Sequence, residues 1–412
     1  MTTARVRIEK LVSGGLGLAR TESGVVLVAG ALPTELVEVE LKKKRGALEG
    51  TLVRVIEPSI TRVQPPRGTP PTADLAHASY EAQLEFKRDF VLEALQRIAK
   101  LEDVVVQPTK PSSLEWRYRS GAQYALSPVG LGYRIPLSHR IWMLYDDPLL
   151  MHGIADGLSS IKAASLEPTL EIAFRGSFLT GEVLVCLIAK EEPHRFKKAV
   201  YHLKELGVAG ISYAFASLEG RFRAGTEHLW GAESILEQYG DFAVSVTASS
   251  FAQVNPVAAS EMYLEAANLA GTGGLAIDLY GGSGTMGLHL AKNFVNVRVI
   301  EINPEAVARG QADAMRLEMD NISFTRGDAS RLEGVFADCI VLDPPRAGLE
   351  KDVITALLLA RAPRLVYISC DPATWARDVA KLARGGYRLT LVQPYDFYPQ
   401  TNHVEVLSVL EL

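Results

Sequence analysis

Hydrophobic and polar positions alternate most regularly in the last part of the chain, from about residue 244. Short apolar runs of strand length recur there, separated by stretches with apolar residues at helical spacing. A loop and a helix come first, with Pro256 in the first turn of the helix and Gly271 at its end. The predicted strands read LAIDLY, VRVIE, ISFTRGD, CIVLDPP, LVYISCD and HVEVLSVLEL. This alternation predicts an α/β fold, with a doubly wound Rossmann-like domain over residues 244–412.

Residues 1–62 show a different pattern, with several short strands and turns. The strands read VRIEKLV, GVVLVAG, LVEVELKKK and LEGTLVRVIEP. So many short strands in a small segment predict a small β-barrel of the OB type, a fold that often binds RNA. The basic run from Lys42 to Arg45 fits an RNA contact, and equally a solvated strand edge that discourages pairing with other chains.

Residues 63–243 give a mixed signal. Four prolines within 63–79 indicate a linker or an ordered loop, and residues 80–101 carry the clearest helical spacing of the first half. The segment WRYRSGAQYAL interleaves charged and aromatic residues, which fits RNA stacking or an edge strand with a polar face. Further candidates are the strands VVVQP, LEIAFRG and EVLVCLIA and the helix VYHLKELG. We predict an α+β central domain without assigning its topology.

One stretch, residues 277–301, combines an apolar run, a glycine turn, a helical segment and a second apolar run that stops at Glu301. This is the pattern of a βαβ unit, in which glycines let the backbone approach a ligand and the acid accepts hydrogen bonds from ribose hydroxyls. The pattern predicts a nucleoside-type cofactor. It leaves nicotinamide, flavin and S-adenosylmethionine open, and the alternative is a glycine turn without a ligand.

Three further strand ends carry chemical groups. Asp343 follows a buried strand and precedes two prolines and Arg346, a donor fork for a phosphate or a base edge; the alternative is a helix start with a surface arginine. Cys370 precedes a predicted helix whose dipole would lower the pKa of the thiol. Because it also lies on the ligand-binding edge beside the strand of Asp343, we interpret it as a nucleophile rather than as buried packing. Glu405 lies in an apolar strand, as a general base or in a salt bridge. We take His403 as structural.

The cysteine count, the net charge and the lengths of the apolar runs narrow the classes of protein to which the chain can belong. The three cysteines, Cys186, Cys339 and Cys370, are too widely spaced for a disulfide framework or a metal cluster, and they fit a reducing cytoplasm. The net charge of −5 argues against a generally basic nucleic-acid binder. No uncharged apolar run reaches the roughly 18 residues of a membrane span, and the first ten residues lack the apolar core of a signal peptide.

A cysteine, a carboxylate and a nucleoside-type cofactor together suggest one reaction. A thiolate that adds to carbon 6 of uracil makes carbon 5 nucleophilic, and carbon 5 can then attack an electrophilic methyl group. A base removes the proton from carbon 5, and the thiolate is expelled. This scheme requires no metal and no redox cofactor.

The motifs taken together resemble the RNA uridine-5 methyltransferase family, which uses S-adenosylmethionine. Residues 1–62 also resemble the TRAM-type RNA-binding domain of the members that modify 23S ribosomal RNA. The matched stretches, in the order of the family, are FAQVNP, DLYGGSGTMGLHLA, VIEINPEAVARGQADA, LDPPRAGL, YISCDPATWARD and FYPQTNHVEVL.

This resemblance implies roles for the matched residues. Cys370 corresponds to the nucleophile and Glu405 to the base. Arg346 and Phe251 are candidate contacts to the RNA, and Phe251 or Tyr398 would stack on a uracil that is flipped out of its helix. The implied cofactor contacts are Gln253, Tyr280, Thr285, Glu301, Asp328 and Asp343.

The chain also departs from the family. Members often carry an iron–sulfur cluster before the SYEAQL helix, but the stretch PPRGTPPTADLAHA has no cysteine, so we predict no cluster and expect packing around residues 70–78 to replace it. Asp371 and Gly281 stand where asparagine and cysteine are usual, and neither change removes a required group. The related cytosine-5 enzymes have a second cysteine where this chain has Arg346, which favours uracil.

The main hypothesis is therefore a cytoplasmic enzyme that makes 5-methyluridine in RNA, with 23S ribosomal RNA as the expected substrate and no requirement for an oligomer. Transfer RNA is the first alternative. A non-catalytic RNA-binding or ribosome-assembly factor is the second, although the chemical groups are intact. A nicotinamide oxidoreductase is the third, with no other feature of the chain in support.

Overall fold

The computed structural model describes residues 2–44, 47–135, 140–144, 146–217, 222, 225–332 and 336–412. Within these ranges the chain forms three sheets, of six, seven and seven strands, and a separate hairpin. The α-helices are α1 (Tyr80–Ala94), α2 (His152–Leu158), α3 (Ala163–Leu166), α4 (Lys197–Glu205), α5 (Pro256–Ala270), α6 (Thr285–Leu290), α7 (Pro304–Arg316), α8 (Lys351–Ala360) and α9 (Pro372–Arg384).

The first sheet is formed by the predicted short strands near the N-terminus, in the order β1-β5-β6-β4-β3-β2. These strands are β1 (Thr2–Arg7), β2 (Lys10–Val12), β3 (Leu16–Thr21), β4 (Gly24–Ala29), β5 (Leu36–Lys44) and β6 (Ala47–Glu57). The amide of Glu9, the residue before β2, donates to the carbonyl of Leu18 in β3 over 2.8 Å and extends the pairing of these two strands. Of the basic run, Arg45 lies outside the described residues.

The second sheet is mixed, in the order β13-β12-β11-β10-β7-β8-β9, and helices α2 to α4 pack against it. Its strands are β7 (Gly121–Ser127), β8 (Gly130–Arg134), β9 (Ile141–Met143), β10 (Glu171–Gly176), β11 (Val183–Ala189), β12 (Gly210–Phe215) and β13 (Glu227–Gly231). The hairpin that follows consists of β14 (Ile235–Tyr239) and β15 (Phe242–Val246). The predicted strands at LEIAFRG and EVLVCLIA are therefore present, and so is the helix at VYHLKELG.

Both interpretations of WRYRSGAQYAL were wrong. Tyr124 lies in β7, which pairs with β8 on one side and β10 on the other, so it belongs to an interior strand. Tyr118 and Tyr124 have no exposed surface and cannot stack on a base. Tyr124 is instead part of the core between the second sheet and helices α2 to α4, and Tyr118 packs in a smaller cluster with Ala73, Ala76 and Leu149.

The third sheet carries the predicted doubly wound pattern, in the order β18-β17-β16-β19-β20-β22-β21. Its strands are β16 (Gly273–Leu279), β17 (Phe294–Glu301), β18 (Ile322–Arg326), β19 (Cys339–Leu342), β20 (Arg364–Ser369), β21 (Arg388–Tyr395) and β22 (Glu405–Glu411). The first five run parallel, and β22 runs antiparallel to both of its neighbours. Parallel strands buried on both sides require helices on both faces.

Successive residues of each strand point to opposite faces of the sheet. Ile277 of β16 packs among residues of α1, α8 and α9, whereas Ala276 packs among residues of α5 and α6. The two faces are thus covered by different helices, and the carboxyl ends of the parallel strands all meet at one edge.

The third sheet differs from the sequence prediction in two places. Strand β21 was missed, although RLTLV alternates in polarity, because it lies at the sheet edge and contains Pro394, a residue that lowers the strand signal. The candidate strand VVVQP, residues 104–108, is extended without being a full strand. Its Gln107 amide donates to the Val392 carbonyl of β21 over 3.0 Å.

The proline-rich stretch over residues 63–79 is an ordered loop that packs against the other end of the chain. Leu75 is fully buried, and its amide donates to the carbonyl of Gln400 over 2.9 Å. The carboxylate of Asp74 accepts hydrogen bonds from the backbone and the side chain of Asn402. Residues 396–404 join β21 to β22 and immediately precede Glu405. We call this segment the base loop.

Candidate active site

The carboxyl ends of the parallel strands open into one cavity of about 710 Å³. The cavity lies where ligands bind in doubly wound sheets. Of the eleven candidate residues selected from the sequence, ten line it: Phe251, Gln253, Tyr280, Glu301, Asp328, Asp343, Arg346, Cys370, Tyr398 and Glu405.

Thr285 is the residue that the main cavity does not include. It is the first residue of α6 and lines a smaller cavity of about 60 Å³. Gln253, Tyr280 and Asp343 line both cavities, so the smaller one adjoins the main cavity beneath the glycine turn.

The glycine turn and Glu301 hold each other in place. One carboxylate oxygen of Glu301 accepts from the amide of Gly282 over 3.0 Å, and the other accepts from the amide of Asn303 over 2.7 Å. Gly282 and Gly284 have positive φ angles of 56° and 76°, which glycine adopts at little cost. A Cβ on Gly281 would lie 2.5 Å from the Val299 side chain, so the usual cysteine does not fit here without a shift.

Tyr280 adopts an uncommon backbone conformation between the strand and the turn. Its φ angle is 61°, in the left-handed region that costs a non-glycine residue about 1–2 kcal/mol. Burial raises the pKa of its hydroxyl to about 12, so the group is neutral and can donate a hydrogen bond. Strain of this kind concentrates at functional sites.

Two acids, the buried Asp278 and the half-buried Asp343, lie at the floor of the site. Burial raises the pKa of Asp343 to about 7. Burial and the neighbouring Asp343 carboxylate raise the pKa of Asp278 to about 8, and neither oxygen of Asp278 has a hydrogen-bond partner among the described residues. Carboxylates held this way bind a cation favourably, because the cation restores the ionised form.

Cys370 is half-buried and immediately precedes Asp371, which caps α9 by accepting from the amide of Thr374. Its pKa is raised to about 11, first by burial and then by the negative charges of Glu405 and Asp343, while Arg346 lowers it. The prediction that the helix dipole would lower this pKa was therefore wrong. Desolvation outweighs the dipole, because burial penalises the thiolate.

Glu405 is the first residue of β22 and is 2% exposed. Its pKa lies well above the ordinary value because of burial and the nearby Asp343, with Arg346 acting in the opposite direction. Among the described residues, its side chain has no salt-bridge partner within 4.0 Å. The salt-bridge alternative is therefore not supported.

Arg346 is exposed at the rim of the cavity, and its Nη2 lies 3.2 Å from Nδ1 of His403. The ring of His403 also meets the ring of Tyr398 edge-to-face, with centroids 5.8 Å apart. Burial and the charge of Arg346 lower the pKa of His403 to about 4, so the imidazole is neutral. Phe251 stands at the rim with 88% of its surface exposed.

The cavity also contains residues that the sequence did not single out. Asn303 follows Glu301 and caps α7 through its side chain, which accepts from the amide of Glu305. Arg309 lies on the same helix and also lines a second cavity of about 320 Å³. The position of Asn303 two residues after Glu301 could have identified it as a neighbour of the ligand site, and Arg309 lies one helical turn beyond Glu305, which also lines the cavity.

The described residues lack two features that other proteins use. No group of three or more histidine, cysteine, aspartate or glutamate side chains is arranged to hold a metal ion. None of the helices in these ranges has the length and apolar character that a membrane span requires.

The fold and the cavity define an α/β enzyme with a site for a nucleoside-type cofactor. The model of the family described as tRNA (uracil-5-)-methyltransferase matches residues 177–411. An uncharacterized RNA methyltransferase of Halalkalibacterium halodurans is 35% identical over 449 aligned positions, covering 99% of this chain and 96% of that protein. A second uncharacterized RNA methyltransferase, of Enterococcus faecalis, is 32% identical, covering 98% of this chain and 96% of that protein.

A solved structure is similar over the same length. The tRNA (uracil-54, C5)-methyltransferase of Pyrococcus abyssi, in complex with S-adenosyl-L-homocysteine, has a TM-score of 0.79 at 24% identity, covering 99% of this chain and all of that one. This likeness shows an α/β methyltransferase fold, which confirms the predicted fold class.

The chain belongs to the tRNA (uracil-5-)-methyltransferase family. It is an RNA (uracil-5-)-methyltransferase. The predicted enzyme class is thereby confirmed.

Proposed function

We propose that this enzyme methylates carbon 5 of a uridine in 23S ribosomal RNA, with Cys370 as the nucleophile and Glu405 as the base. The observation that carries the proposal is the convergence of both side chains, from β20 and β22, on the cavity that also contains Glu301 and Asp343. Neighbouring strands of one sheet thus bring the nucleophile and the base to the edge where the cofactor is expected.

The residues present fit S-adenosylmethionine. The carboxylate of Glu301 can accept from ribose hydroxyls while it holds the glycine turn, and Asp328, whose pKa is lowered by hydrogen bonds from Ser330, is an ionised acceptor for the adenine amino group. The orphaned carboxylate of Asp278 and the neighbouring Asp343 suit a cationic ligand. When bound, the cofactor supplies an electrophilic methyl group.

The side chains of the protein would act in order. The Cys370 thiolate forms a bond to carbon 6, and the electrons of the carbon 5–carbon 6 double bond move towards carbon 4 and its oxygen. Carbon 5 is then nucleophilic and accepts the methyl group. Glu405 takes the proton from carbon 5, the double bond reforms, and the bond from Cys370 to carbon 6 breaks to return the thiolate.

Protonation states couple this chemistry to cofactor binding. In the free protein the pKa of about 11 favours the thiol form of Cys370, and the raised pKa of Glu405 favours its protonated form. A positive charge bound beside Asp343 lowers both pKa values, because an opposite charge favours the ionised forms. Arg346 acts in the same direction from the rim. The reactive thiolate would therefore form mainly in the loaded site.

The N-terminal sheet supports ribosomal RNA as the substrate. Leu11 and Leu32 of this part pack with Leu75, Ala78 and Phe90, next to the loop that holds the base loop. The sheet therefore lies on the side of the cavity that we assign to RNA. We propose that residues 1–62 form a TRAM-like RNA-binding domain, 63–243 a central domain and 244–412 the methyltransferase domain.

Transfer RNA remains the second candidate substrate, because the matching family model is described as a tRNA enzyme and the Pyrococcus abyssi protein acts on uracil-54 of tRNA. If the substrate is ribosomal RNA, residues 1–62 recognise a ribosomal fragment. If the substrate is transfer RNA, they bind a tRNA arm, and the chemistry at Cys370 is the same.

The test uses cellular RNA that contains 5-fluorouridine. Fluorine at carbon 5 cannot leave as a proton, so the adduct between Cys370 and carbon 6 accumulates in the presence of S-adenosylmethionine. Mass spectrometry of the adduct should identify the Cys370 peptide, and sequencing of the attached RNA should give a 23S ribosomal fragment. Attached tRNA would support the second candidate.

Two controls complete the test. The buried Cys186 makes no contact with the cavity, so Cys186→Ala should form the adduct like the wild type. Cys370→Ala should form none. An adduct that persists in Cys370→Ala, or its absence in a wild type that binds the cofactor and RNA, would contradict the thiolate mechanism.

A further inference from the structure

The base loop is held by a polar network that comes from the first third of the chain. Gln83 of α1 has no exposed surface; its Nε2 donates to Oε1 of Gln400 over 2.9 Å, and its Oε1 accepts from the Gln400 amide over 2.9 Å. Its Nε2 also donates to the carbonyl of Ala78 over 2.9 Å. One buried amide thus fixes both the backbone and the side chain of Gln400.

Gln400 needs such support, because its backbone is in the left-handed region with φ at 70°. For a residue other than glycine this conformation is disfavoured, because the Cβ comes too close to the following carbonyl oxygen. It persists where the surroundings over-determine it. The three hydrogen bonds of Gln83, together with the bond from the Leu75 amide to the Gln400 carbonyl, provide that constraint.

One helical turn later, Lys87 holds the beginning of the same loop. Its Nζ donates to Oδ1 of Asp396 over 2.5 Å and to the carbonyl of Tyr398 over 3.0 Å. Lys87 and Asp396 are both fully buried, so the pair is not screened by solvent. The carbonyl at 398 belongs to the tyrosine that lines the cavity.

We propose that Gln83 is a positioning residue for the proton-abstraction step: through Gln400 it fixes the base loop so that Glu405 and Tyr398 face the target base. Gln83 itself does not line the cavity. The proposal rests on the proposed role of Glu405 as the base. Because Cys370 lies on β20, outside this network, loss of Gln83 should spare the formation of the adduct and slow its resolution.

The experiment compares Glu405→Gln, Gln83→Ala and the wild type with RNA from cells that lack this protein and with methyl-labelled S-adenosylmethionine. The quantities measured are turnover and the amount of methylated RNA that stays attached to Cys370 after denaturation. Glu405→Gln should accumulate the methylated adduct. Gln83→Ala should accumulate it as well, with turnover reduced by about 10- to 100-fold, the cost of a small misplacement of a catalytic group.

The outcomes separate the two proposals. If Glu405→Gln accumulates no adduct, the base role in the proposed function is wrong. If Glu405→Gln accumulates the adduct while Gln83→Ala keeps wild-type turnover, or loses adduct formation and turnover together, the positioning role is wrong. Calorimetry with S-adenosylhomocysteine checks the fold, because Gln83 does not contact the cofactor side.

Two further variants guard against a folding failure. Gln400→Gly removes the partner side chain but relieves the positive φ angle, so it should fold and still accumulate the adduct. Gln96→Ala, at an exposed position just after α1, should behave as the wild type. Wild-type turnover in Gln400→Gly would overturn the positioning role.

Discussion

The two sides of the cavity are built in opposite ways. The glycine turn at one side is held locally, because the amide of Gly282 and the carboxylate of Glu301, 19 residues apart, are hydrogen-bonded. The base loop at the other side is held by distant parts, since Gln83 is 317 residues from Gln400 and Lys87 is 309 from Asp396. One βαβ unit can therefore shape its own turn, whereas the shape of the base loop depends on segments from the other end of the chain.

The largest effect is expected from a substitution that removes the proposed nucleophile and leaves both sides of the cavity intact. Cys370→Ala should abolish methyl transfer, because no other described cysteine reaches the cavity. Binding of S-adenosylhomocysteine should stay within about twofold of the wild type, since a small side chain is lost without a change of charge partners. Labelled-methyl transfer and calorimetry measure the two quantities; residual turnover in the variant would exclude Cys370 as the nucleophile.

The next effect is confined to the cofactor side. Glu301→Ala should weaken cofactor binding by roughly 1.5–3 kcal/mol, or about 10- to 150-fold, the value of hydrogen bonds to a charged group. Calorimetry measures it, and Asp320→Ala, which removes an exposed carboxylate of another loop, is the control. Equal losses of cofactor affinity in both variants would mean that Glu301 contributes only through the net charge of the protein.

The reactivity of Cys370 in the free protein tests the burial of the thiol. With the pKa near 11, the thiolate fraction rises with pH, so alkylation by iodoacetamide should speed up by about tenfold per unit between pH 7 and 9. Peptide mass spectrometry follows the reaction, with buried Cys186 and Cys339 as internal controls. An alkylation rate that does not change over this pH range would show that the pKa of Cys370 is lowered, as the helix dipole predicts.

The smallest expected effect concerns stability behind the glycine turn. A Cβ on Gly310 of α7 would lie 2.6 Å from the carbonyl oxygen of Ser283, so Gly310→Ala should lower stability by about 1–3 kcal/mol through overpacking. Gly157 of α2 has open space around it, and Gly157→Ala should be neutral or stabilising. Thermal unfolding compares the two; a similar Tm in both variants would contradict the tight packing.

The sequence by itself determined the features that depend on neighbours along the chain. The alternation after residue 244 identified five parallel strands and β22, and the glycines with Glu301 identified the cofactor side. These predictions succeed because strand periodicity, turn chemistry and the position of an acid at a strand end are set by short segments. Cys370 was likewise placed at that edge because parallel strands end together, whereas Glu405 reaches the same edge because the antiparallel strand β22 begins there.

Tertiary structure decided the rest. Strand β21 forms despite Pro394 because it pairs with β22. Burial raises the pKa of Cys370, although the adjacent helix dipole would lower it. The base loop had no local signal, because its shape is held by Gln83 and Lys87 from the far end of the chain. Burial and long-range hydrogen bonds exist only once distant segments meet, so no short stretch of sequence contains them.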